Sequence, residues 1–68
     1  MTLRQAETII SLAKNNMNAR ATARSMFVHY QTVIYNIKMI HRNTGLNPLN
    51  FDDLNKLLLM AKEVLGHD

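Results

Sequence analysis

Apolar residues recur along the 68-residue chain at spacings of three and four, the period of an amphipathic helix, and four stretches carry the pattern. The first runs from about Leu3 to Lys14. Thr2 and Gln5 stand at capping-box spacing at its start. Leu3, Ala6, Ile10, Ala13 and then Met17 share one face, which Ile9 and Leu12 widen, and Asn15 and Asn16 break the helix. The second stretch is short, about Ala19 to Met26, with Asn18 as its N-cap. Its inner stripe, Ala19, Thr22, Ala23 and Met26, is small enough to let another helix approach closely. Arg20 and Arg24, four apart, share the outer stripe. Phe27, Val28 and His29 form the break.

The third helix is expected from about Tyr30 to His41, with Val33, Ile37 and Ile40 on its core face. Nearly opposite lie Gln31, Tyr35, Lys38 and Arg42, a stripe that is polar, aromatic and basic. Asn43, Thr44 and Gly45 end this helix, with Gly45 as a left-handed cap, Leu46 folding back and Pro48 preventing continuation. The fourth runs from about Phe51 to Leu65 behind an Asn50 N-cap, with Asp52 and Asp53 in the first turn, where the helix dipole favours acids. Its core stripe reads Phe51, Leu54, Leu58, Ala61 and Leu65, and Gly66 stops it. Leu59 and Met60 point away from that stripe.

This pattern predicts an all-α fold, a single domain over residues 1–68 made of a small bundle of about four helices. Composition narrows the means of stabilising it. With no cysteine there is neither a disulfide framework nor a thiolate metal site. With two glycines, one proline and 47% hydrophobic residues, the chain has few turns and enough apolar surface for a core. Met1 is followed by Thr2 and Arg4 with no apolar leader region, and no apolar run approaches the ~18 residues of a membrane span. A cytoplasmic location is expected.

Charge changes the picture more. The net charge is +3, but residues 8–51 hold Lys14, Arg20, Arg24, Lys38 and Arg42 and no acid, whereas from residue 52 onward the acids outnumber the bases. A basic body with a near-neutral end implies a polyanion on one face. The small Ala23, then Val28 five residues on and Val33 five further, have the spacing of a helix-turn-helix (about residues 18–42), in which the second helix projects into a DNA major groove. Phe27 stands where many such motifs have glycine, and a residue of that size is expected to loosen the turn. The candidates for reading base edges are Tyr30, Gln31, Ile34, Tyr35 and Lys38. Gln31 suits adenine, Lys38 guanine and Ile34 a thymine methyl. Tyr35 could instead pack on the second helix or send its hydroxyl to a phosphate. Phosphate candidates are Asn18, Arg20, Arg24, His29, Thr32 and Arg42, with His29 either capping a backbone N–H or touching phosphate. One module makes few contacts, so a dimer on paired half-sites is expected for tight binding.

Other chemistries fit poorly. Asp52 and Asp53, adjacent at a helix start, point apart and serve as caps, so no enzyme is expected. His29, His41 and His67 lack ligand spacing, and Thr44-Gly45 lacks the rest of a phosphate loop, so neither metal nor cofactor is expected. RNA is disfavoured because the deep, narrow major groove of A-form RNA cannot be read by a protruding helix. The competing class is a helical interaction or oligomerisation module, with Leu59 and Met60 meeting a partner helix and the basic face incidental.

The run Asn18-x-x-x-Thr22-Ala23-x-x-Met26-Phe27-Val28-His29-x-x-Thr32-Val33-x-Tyr35-x-Ile37-x-x-Ile40, then Thr44-Gly45-Leu46-Asn47 and Asp53 opening a Leu-rich helix, resembles the C-terminal DNA-binding domain of PucR/CdaR-type transcriptional regulators. The resemblance covers about Leu3 to Leu65. It implies a helix-turn-helix from a bacterial regulator, homodimeric at full length, with an upstream sensory region that Leu59 and Met60 could meet. That family usually has arginine, asparagine and arginine where this chain has Tyr30, Gln31 and Asn36. A weaker resemblance is to the Fis-like C-terminal domains of other bacterial regulators.

Overall fold

Side-chain caps set where three of the helices begin. In the computed structural model, which describes residues 1–66, Thr2 Oγ1 accepts the Gln5 N–H at 3.1 Å while Gln5 Oε1 accepts the Thr2 N–H at 3.1 Å, so both halves of the capping box form. Helix α1 follows as Leu3–Lys14. Asn18 Oδ1 takes the Ala21 N–H at 2.9 Å and opens α2, Ala19–Met26; Asn50 Oδ1 takes the Asp53 N–H at 3.0 Å and opens α4, Phe51–Leu65. Between them α3 spans Tyr30–Thr44, nearly a turn beyond the expected end at His41. Its last turn is closed by Thr44, whose hydroxyl donates to the Ile40 carbonyl at 2.7 Å and accepts the Leu46 N–H at 3.1 Å. Gly45 then takes the expected left-handed cap at φ 75°. His67, weighed above as a metal ligand and set aside, and Asp68, one of the acids counted from residue 52 onward, lie outside the described residues.

Helix α1 is the centre of the packing. It touches α2, α3 and α4, while α2 and α3 also pair with each other and α4 packs on α1 alone. The core comprises Ala6, Ile9 and Leu12 of α1, Ala23 of α2, Val33, Ile37 and Ile40 of α3, and Leu54, Leu57 and Ala61 of α4. Two of the expected stripes are therefore rotated. In α1, Leu3 is 60% exposed and Ile10 and Ala13 lie at the margin, because a helix facing three neighbours buries the broader face centred on Ile9 and Leu12. Thr8 joins that face because its hydroxyl donates to the Arg4 carbonyl at 2.8 Å. In α4, Phe51 is 65% exposed and Leu58 and Leu65 are only partly buried. Leu57, absent from the expected stripe, is fully buried, because contact with α1 alone selects one narrow strip. Leu59 and Met60 point outward as expected. Among the described residues no helix is long and apolar enough to cross a membrane.

Candidate nucleic-acid interface

The crossing of α2 and α3 is built as the spacing of Ala23, Val28 and Val33 implies. Ala23 is buried where the helices meet, Val28 packs on the core from the turn, and Val33 is fully buried in α3. The turn keeps its tight form. The Phe27 N–H donates to the Arg24 carbonyl at 3.2 Å and the Val28 N–H to the Ala23 carbonyl at 3.1 Å, the paired bonds of a Schellman ending. Phe27 occupies the left-handed position, φ 57° and ψ 42°, that glycine usually fills. The expected loosening does not occur because the ring projects into solvent, 95% exposed, and the backbone never has to make room for it.

With the turn fixed, α3 presents two faces. Val33, Asn36, Ile37 and Ile40 are buried; Gln31, Thr32, Tyr35, Lys38 and Arg42 are exposed. Tyr35 is 62% exposed, so it is not packed away on α2. Ile34 is half-buried beside this stripe. Tyr30 is half-buried and packs on the core, and the guanidinium carbon of Arg20 lies 4.2 Å from its ring centroid. That cation–π contact joins the outer face of α2 to the first residue of α3. Arg24 is exposed on α2, and Asn18, also exposed, spends its amide oxygen on the α2 cap. His29 holds the N-cap position of α3 but makes no side-chain cap bond, so the capping role considered for its imidazole is not taken.

Two residues matter here beyond those expected. Asn36 is 9% exposed, and its Nδ2 donates to Thr8 Oγ1 at 3.2 Å, pinning α3 to α1 from inside the core. The signal was its place three residues after Val33 and four before Ile40, on the apolar stripe. The second is Phe27, whose isolation on the surface depends on a backbone angle that the apolar pattern does not encode.

The arrangement is an open surface rather than an enclosed pocket. A protruding helix is held by its apolar face, with arginines from the preceding helix beside its N-terminal end. The family model of the PucR C-terminal helix-turn-helix domain matches residues 5–68. No curated protein and no solved structure matches the chain.

Proposed function

The chain belongs to the family of PucR C-terminal helix-turn-helix domains, and from that premise we propose that it binds double-stranded DNA sequence-specifically, with α3 in the major groove, as the DNA-binding part of a cytoplasmic bacterial transcriptional regulator. One observation carries this reading: α3 buries Val33, Ile37 and Ile40 while exposing Gln31, Tyr35 and Lys38 on a face without an acid. Gln31, Tyr35 and Lys38 reach base edges. Ile34 offers an apolar contact at the margin, and Tyr30 contributes through the edge of its ring that Arg20 does not cover. Arg20, Arg24, Thr32, Arg42, His29 and Asn18 line the approach to the phosphates, which fixes register without reading sequence.

A domain this small gains tight, specific binding by pairing, so the active species is a homodimer on two half-sites, controlled by a sensory region elsewhere in the regulator. Leu59 and Met60, outward on α4, are placed to meet a partner helix or that region. Selection of bound duplexes from a random pool tests the proposal. The expected product is an inverted-repeat consensus; a pool that stays random after repeated rounds would overturn specific recognition.

A further inference from the structure

We propose that the α2–α3 turn is a second contact with the DNA backbone, in which the Phe27 ring packs on a deoxyribose beside the phosphates that Arg20 and Arg24 approach. The inference rests on the DNA-binding reading and goes beyond it by assigning a role to a residue that has none inside the domain. Phe27 is 95% exposed, yet it holds a left-handed conformation in which glycine would be unstrained. The domain thus carries both backbone strain and a solvated aromatic ring with no internal packing in return.

The surroundings identify the occupant. The ring borders a shallow cleft lined by Arg20, Arg24, His29 and Tyr30, which brings two guanidinium groups and aromatic rings together beside it. No acid occurs between residues 8 and 51. An apolar protein partner seated here would have to desolvate those arginines without compensation. A sugar–phosphate strand matches this mixture, because anionic phosphates meet the arginines while the apolar edge of deoxyribose meets the ring. The turn leads directly into the end of α3 that carries Gln31 and Thr32, where the backbone must pass if the helix is docked.

Every nucleotide carries the same sugar, and the ring carries no charge. The contact should therefore act equally on any sequence and leave the salt dependence unchanged. The test compares the wild-type chain, Phe27→Gly and Phe27→Tyr by fluorescence anisotropy on a selected and a random duplex at several salt concentrations, with thermal denaturation and sedimentation alongside. Phe27→Gly is expected to melt no lower than wild type and to bind both duplexes about tenfold more weakly, with an unchanged slope of log affinity against log salt. Phe27→Tyr, which keeps the ring, should bind as wild type does. If wild type binds and Phe27→Gly binds equally well, or weakens only because its oligomeric state has changed, the ring contact is overturned while DNA binding stands. If wild type binds no duplex, both readings fall.

Discussion

Beyond its own chain neighbours, a β-carbon built on Gly45 would meet no atom within 4 Å, yet the position is closed to most residues because its φ is +75°. The barrier lies in the backbone itself, since left-handed geometry crowds a β-carbon against the neighbouring carbonyl, and β-branching makes the crowding worse. Gly45→Val should therefore lower stability by about 1–2 kcal/mol, read as a shifted midpoint in urea denaturation with an unchanged m-value. The exposed residues of α3 and α2 are separated by a different measurement. Gln31→Ala should cost about 1–3 kcal/mol on a selected site and little on random DNA, whereas Arg24→Ala should weaken both similarly and lower the salt slope by about one. Anisotropy on both duplexes checks this, and equal weakening by Gln31→Ala would mean that α3 does not read bases through that side chain. Single residues differed in how openly the sequence displayed them. Gly45 was legible because glycine followed by Leu46 and Pro48 is a chemical stop signal. Asn36 was not: a polar side chain on an apolar stripe reads as an interruption until Thr8 is found opposite it, 28 residues away.

At the scale of elements, the starts of α1, α2 and α4 followed from side-chain caps and were readable, while helix rotation followed from neighbours and was not. Leu57, Leu58 and Leu59 are three leucines in succession, so periodicity alone admits more than one core register for α4. Contact with α1 alone resolves it, burying Leu57 completely and leaving Leu59 68% exposed. The two substitutions should therefore diverge sharply. Leu57→Ala removes a fully buried side chain and should cost about 2–5 kcal/mol, comparable to the roughly 3–5 kcal/mol available from a core this small. Leu59→Ala should stay within about 0.5 kcal/mol. Circular dichroism of the first variant at room temperature should already show substantial loss of helix, and that of the second should match wild type. The same dependence on neighbours explains α1. Leu3 and Ile10 looked like core from spacing, but burial by three helices is centred on Ile9 and Leu12.

Across the whole molecule, the helices α2 and α3 carry bases and no acid. Arg20 and Arg24 lie on α2, and Lys38 and Arg42 on α3, while Asp52, Asp53 and Glu63 lie on α4, which packs on neither of them. The sign change after residue 51 was legible in the sequence; its separation onto a helix held by α1 alone was not, because that depends on packing. The consequence for binding can be calculated. If Arg20, Arg24 and Arg42, the cations assigned to phosphates, each neutralise one, the slope of log affinity against log salt is about −2.7 per domain, and affinity falls on the order of 40-fold between 50 and 200 mM salt. Lys56 and Lys62, on α4 among the acids, should contribute nothing, so Lys56→Ala with Lys62→Ala should leave the slope where it was. A dimer on paired half-sites should show about twice the single-domain slope, because both basic faces then release counterions. Anisotropy titrations from low to moderate salt read all three quantities. A slope shallower than about −1 on every duplex would mean that the basic face is ordinary solvated surface, and an interaction module, with Leu59 and Met60 as its contact, would then be the better reading of the domain.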